Sequence, residues 1–170
     1  PKHLRWVGSP RWSRHHDRMA SMSALVSANG RLFYIIDEGS RASIMLPSHW
    51  ALVARDAFNG TILWKRRIPT WHTNLWPFKS GPTQLTRRLV AIGDRVYVPL
   101  GLKAPLSCLD AATGKTLATY EDTKATEEII AAGGLVYALV NRGPGWKPFK
   151  PINRSVGMAK ARVAKEWAWD

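Results

Sequence analysis

The sequence predicts an all-β chain of short antiparallel strands, and three features of its 170 residues carry that expectation. Aliphatic, aromatic and β-branched residues gather in short runs, the length of strands rather than of helices. Tight-turn pairs separate these runs, at Asn29-Gly30, Gly93-Asp94 and Gly133-Gly134. A second turn signature, Asp-x-x-x-Gly, stands at Asp56–Gly60 and returns at Asp110–Gly114, 54 residues further on.

Residues 1–22 are polar, lack periodicity and read as an irregular lead-in. Residues 23–28 and 31–37 (RLFYIID) flank Asn29-Gly30 as the first hairpin, and a loop rich in Gly, Ser and Pro follows over 39–48. Residues 51–55 and 61–65 form the next pair around Asn59-Gly60, so 23–67 makes one four-stranded meander. A Trp-rich connection over 68–86 carries Trp71, His72, Trp76 and Pro77. The pattern resumes over 87–122, with strands at 89–92, 95–100, 106–109 and 116–120. A third unit over 126–170 begins with strands at 128–131 and 135–140, then turns to loop over 141–151. Within it, Val156, Ala159, Val163 and Trp167 fall at helical spacing, which predicts a short helix near the C-terminus.

In each complete unit the Gly-containing turn precedes the Asp-x-x-x-Gly turn. Four short strands repeated at such a period predict a partial β-propeller of four-stranded antiparallel blades rather than a sandwich. Two blades and half a third do not close a ring, because propellers have at least about four blades. The remaining blades are expected elsewhere in the same polypeptide, or in a partner copy. The chain, which opens at Pro1 and stops at Asp170, is read as a fragment of one propeller domain.

Composition narrows the function classes less than it narrows the fold. The 25 basic residues against 12 acidic give a net charge of +13, which favours anionic partners without selecting among them. Cys108 is the sole cysteine, so no disulfide forms within the chain. No apolar run approaches the roughly 18 residues of a membrane span, and no secretory leader pattern is present. The nine Trp call for a fold that uses indoles repeatedly.

The stretch 54–64 (ARDAFNGTILW) resembles the tryptophan-docking repeat of the pyrroloquinoline-quinone-type propellers, whose pattern is a small residue, Asp, Gly, usually Lys, then Trp. Ala54, Asp56, Gly60 and Trp64 match it, and Thr61 departs from the usual Lys. The second copy keeps Asp110, Gly114 and Lys115, but has Cys108 for the small residue and Ala118 where Trp would stand. The resemblance implies that the Gly makes the last hairpin turn, the Asp braces it and the Trp packs on the neighbouring blade. It implies docking at Ala118 that is weaker or achieved differently. More narrowly, the stretches RWSRHHD, FYIIDEGSRASI and LDAATGKTLATY are similar to large bacterial quinoprotein-like repeat proteins typical of planctomycetes, some with a methyltransferase-like domain. That resemblance alone favours a periplasmic or cell-envelope location.

Two functions of different class follow. The first is a non-catalytic binding or scaffolding platform for a protein, saccharide or small ligand, with no cofactor in this segment. The nearest analogy is the propeller lipoprotein of the outer-membrane barrel assembly machinery. The second is part of a dehydrogenase whose pyrroloquinoline quinone and calcium would need the missing blades. Its adjacent-cysteine pair has no counterpart here, and no carboxylate cluster with metal-ligand spacing stands out. His15, His16 and Asp17 are the one concentrated group of ligand-type residues. Adjacent strand residues point to opposite faces, and Arg11, Arg14 and Arg18 would repel a cation, so a polar loop is the favoured account. Asp37-Glu38-Gly39 is read as a turn. A polyanion-binding surface is a third possibility, drawing on Arg66, Arg67, Arg87, Arg88, Lys147 and Lys150 near Trp71, Trp76 and Trp146.

Overall fold

The computed structural model describes residues 3–7, 22–40, 42, 46–71 and 83–142. These residues form two four-stranded antiparallel sheets and one two-stranded sheet. The first sheet runs β1 (Met22–Ala28), β2 (Arg31–Asp37), β3 (Trp50–Asp56) and β4 (Ile62–Arg67), each strand beside its sequence neighbour. The second repeats the order with β5 (Val90–Ile92), β6 (Arg95–Pro99), β7 (Leu106–Asp110) and β8 (Thr116–Tyr120). The third is the hairpin of β9 (Thr126–Ala132) and β10 (Leu135–Val140). Strands therefore lie within a residue or two of where the apolar runs put them. The expected helix over 156–167 lies outside the described residues, as do His15, His16, Asp17, Trp76, Trp146, Lys147 and Lys150.

The hairpins form where backbone freedom allows. Asn29 and Gly30 both take positive φ, at 44° and 70°, which suits the right-handed twist of the flanking strands. Two elements went unforeseen: a 3₁₀ helix over Thr83–Arg88 at the end of the Trp-rich connection, and a short one over Glu121–Thr123. Neither carries an apolar period that a sequence scan would register.

Register decides how the sheets meet. Val26, Phe33, Ala54 and Trp64 are successive cross-strand partners, so they form one row across the front face of the first sheet. Ala24, Ile35, Leu52 and Arg66 form the next row on that face. The second sheet has the equivalent front row in Val90, Tyr97, Cys108 and Ala118. Its opposite face carries Val96, Val98 and Leu109, and these join Phe33, Ile35, Leu52 and Ala54 in one buried cluster with Trp50, Ile68, Trp71 and Leu89. The front of the first sheet thus packs on the back of the second. Beyond it, β9 lies beside β5 and the Thr83–Arg88 helix, and Arg87 reaches Glu128 at 3.2 Å.

On its other side the first sheet has a second buried cluster, Tyr34, Ile36, Ala51 and Val53. Strand β2 is consequently buried on both faces, which is why RLFYIID reads as a continuous apolar run instead of an alternating one.

Candidate functional site

The features that the sequence singled out converge on the joints between sheets. Asp56 turns its carboxylate back over the hairpin, where Oδ1 accepts the amides of Phe58 at 2.8 Å and Asn59 at 3.0 Å. The Asp110 carboxylate does the same for Ala112 at 3.1 Å and Thr113 at 2.8 Å, and also accepts the Thr113 hydroxyl at 2.7 Å. The Thr113 hydroxyl, followed by the Thr113 and Ala112 amides, holds the Asp110 carboxyl below its ordinary value of 3.8. In both turns the glycine closes the loop, with the amides of Gly60 and Gly114 donating to the carbonyls of Asp56 and Asp110 at 3.0 and 2.8 Å. Their φ values, +77° and +72°, lie in the left-handed region. The exposed Lys115 continues the second turn, its carbonyl accepting the Asp110 amide at 2.8 Å.

Each of these hairpins is a seat for an indole. Trp64, on β4 of the first sheet, donates Nε1–H to the carbonyl of Ala111 at 3.0 Å in the second sheet. Its ring lies so close to Gly114 that a Cβ there would fall 2.8 Å from Cδ2 and Cε3. Phe33 flanks the same indole, with ring centroids 5.9 Å apart. Glycine is thus required at 114 twice over, by backbone conformation and by the flat ring against it. Arg66, one turn of the strand pleat away, adds bonds to the Gly114 carbonyl at 2.9 Å and the Thr116 hydroxyl at 2.7 Å.

The Asp56–Gly60 hairpin is filled in the same way by a residue that sequence reasoning passed over. Trp6 donates Nε1–H to the carbonyl of Ala57 at 3.0 Å, and a Cβ on Gly60 would lie 2.7 Å from its ring. Arg55 covers the same indole at 5.9 Å from the ring centroid. Residues 3–7 therefore stand on the back of the first sheet as β4 stands on the back of the second. A motif scan starts from the Asp and looks forward to the Trp on the same hairpin. Searching backward, from each Asp-x-x-x-Gly seat to an indole about fifty residues upstream, finds both Trp64 and Trp6.

The remaining sequence candidates are structural in place. Asp37 is buried and accepts the amides of Gly39 at 2.9 Å and His49 at 2.8 Å, closing the neck of the loop between β2 and β3. Arg88 is only 4% exposed. It lies over the Trp71 ring at 4.6 Å and donates to the carbonyls of Trp71, Gly101 and Leu102 at 3.3, 3.1 and 3.2 Å. Burial lowers its pKa to about 10, with Glu127 acting in the opposite direction. Arg88 and Trp71 are therefore withdrawn from any polyanion surface, while Arg66 is engaged with the second hairpin and Arg87 faces Glu128. Of the four arginines proposed for such a surface, Arg67 is the exposed one with no bond of these kinds. Cys108 is a buried free thiol in the front row of the second sheet, at the place Ala54 holds in the first. Among the described residues no group of three His, Cys, Asp or Glu converges on a common point, and no helix is long and apolar enough to cross a membrane.

No protein-family model matches the chain, and no curated protein matches it.

Proposed function

We propose that the chain is a segment of a quinoprotein-like β-propeller that serves as a non-catalytic binding or scaffolding platform. One observation carries the propeller reading: two indoles, Trp6 and Trp64, seat on successive Asp-x-x-x-Gly hairpins with the same bond, each at 3.0 Å. Such seats join the front of the first sheet to the back of the second and residues 3–7 to the back of the first, and this repetition supports a blade-like arrangement over two sheets of a sandwich. The platform reading is supported by what the polar groups do. Asp37, Asp56, Asp110 and Arg88 are each engaged with backbone amides or carbonyls that their own turns and joints leave exposed.

Titration with pyrroloquinoline quinone and calcium tests the platform against a dehydrogenase. No stoichiometric uptake and no oxidation of alcohols or sugars is expected; tight uptake with turnover refutes the non-catalytic assignment. The propeller geometry has a separate readout in hydrogen exchange. Trp64→Ala is expected to accelerate exchange in the 110–116 hairpin, and Trp6→Ala in the 56–61 hairpin, each leaving the other hairpin protected.

A further inference from the structure

Two Asn-Gly pairs stand in the chain, Asn29-Gly30 and Asn59-Gly60, and the fold treats them differently. An asparagine side chain followed by glycine closes readily on the next backbone nitrogen, because glycine has no Cβ to shield it. We infer that Asn29 is a site of spontaneous deamidation in the folded protein while Asn59 is protected, and that the reaction loosens the contacts of the first hairpin turn. The step consumes only water. The Gly30 nitrogen gives up its proton to base and attacks the side-chain carbonyl carbon of Asn29. A carbon–nitrogen bond forms, the side-chain nitrogen leaves as ammonia, and a five-membered succinimide results. Water then opens the ring at one carbonyl or the other, giving aspartate or isoaspartate, with no change of oxidation state.

Access and freedom distinguish the two pairs. Asn29 and Gly30 are both exposed, and the strand ladder closes beside them at Ala28 and Arg31. The Gly30 amide donates to no group among the described residues. The Asn29 side chain is held by a single bond, from Nδ2 to the Asp94 carboxylate at 3.3 Å. At the second pair each reacting group is engaged. The Gly60 amide donates to the Asp56 carbonyl at 3.0 Å, and the Asn59 Oδ1 accepts the Thr61 amide at 2.8 Å. Gly60 is also buried beneath the Trp6 ring. Attack at Asn59 therefore requires the hairpin to open first.

The product matters because of what the first turn touches. Asp94 Oδ1 accepts both Asn29 Nδ2 and Arg31 Nη1, each at 3.3 Å. Deamidation replaces the amide donor with a carboxylate that repels Asp94 and competes with it for Arg31. Isoaspartate goes further, since it lengthens the main chain by a methylene inside a two-residue turn. That displaces the Gly30 carbonyl, which accepts the Ala57 amide at 2.8 Å. The Ala57 carbonyl in turn accepts the Trp6 indole at 3.0 Å, so a change at Asn29 reaches the Trp6 seat through two bonds.

The test ages the protein at mildly alkaline pH and follows both pairs by peptide mapping with mass spectrometry, using electron-transfer fragmentation to tell isoaspartate from aspartate. In the folded protein Asn29 is expected to convert at least about tenfold faster than Asn59, because freeing the Gly60 amide breaks a hydrogen bond and lifts an indole. In urea the two rates should converge. Asn29→Gly keeps a residue suited to positive φ and should abolish the acidic product that forms first. Hydrogen exchange over 56–61 should quicken in the converted fraction but not in Asn29→Gly protein aged alike. Conversion of Asn59 as fast as Asn29 in the folded protein overturns the assignment. So does an Asn29 that reacts in urea and is inert when folded. Unchanged exchange over 56–61 in isoaspartate-containing protein overturns the loosening.

Discussion

Replacing Gly114 by alanine loads the joint between the first and second sheets in a way that separates backbone strain from docking. At φ +72° a Cβ costs about 1 kcal/mol, whatever surrounds it. The methyl would also lie 2.8 Å from the Trp64 indole, well inside the roughly 3.5–4.0 Å of carbon–carbon contact, so the ring must leave its seat. The seat contributes one part-buried hydrogen bond to Ala111, worth about 1 kcal/mol, and a tilted ring contact with Phe33 of similar worth. Losing most of that together with the backbone strain gives about 3 kcal/mol for Gly114→Ala. With a urea slope of about 2 kcal/mol per molar, the midpoint falls by roughly 1.5 M. Gly93→Ala is the internal control, because Gly93 also has positive φ, +55°, but nothing lies within 4 Å of its Cβ direction. It is expected to cost about 1 kcal/mol. In a Trp64→Ala background, Gly114→Ala should fall to that same value, a coupling of about 2 kcal/mol. Urea unfolding followed by far-ultraviolet circular dichroism reads all four variants without relying on tryptophan emission. A Gly114→Ala no costlier than Gly93→Ala, or a coupling near zero, refutes the docking argument.

Gly60→Ala should behave likewise toward Trp6, with an expected loss of about 2 kcal/mol that falls to the backbone strain alone, about 1 kcal/mol, in Trp6→Ala; equal losses in both backgrounds would mean that residues 3–7 do not hold the seat. Arg88→Met removes the donor from three backbone carbonyls and is expected to destabilise by about 3 kcal/mol, with a change in Trp71 emission; a neutral result would show those carbonyls to be satisfied otherwise. Asp110 has a depressed carboxyl pKa, so its contribution is present above the unfolded value and is lost as pH falls through the folded one. Asp110→Asn should therefore lower the melting temperature at neutral pH and flatten its decline on the acid side. An unchanged acid slope would contradict this.

Much of the fold could be read from local chemistry. Asn29-Gly30 specifies a two-residue turn through positive φ alone, and Asp56 and Asp110 brace their hairpins with bonds that span only two or three residues. Such interactions are complete within a few residues, so the sequence states them in full. The Thr83–Arg88 helix was invisible because nothing in its six residues repeats with a helical period. The role of Trp6 was hidden for a different reason: its partner, Ala57, lies 51 residues away and accepts through a backbone carbonyl, which carries no residue-type signature.

Charge shows the same division. Arg66, Arg67, Arg87 and Arg88 look alike in the sequence, as two adjacent pairs. Packing alone decides that Arg88 is buried against Trp71 and three carbonyls while Arg67 stays in water. By itself the sequence determined that this chain makes antiparallel hairpins, where they turn, and which residues could face an apolar neighbour. Tertiary structure decided which neighbour each face meets, because alternation along a strand gives both faces of a sheet but says nothing of which of them another sheet will cover.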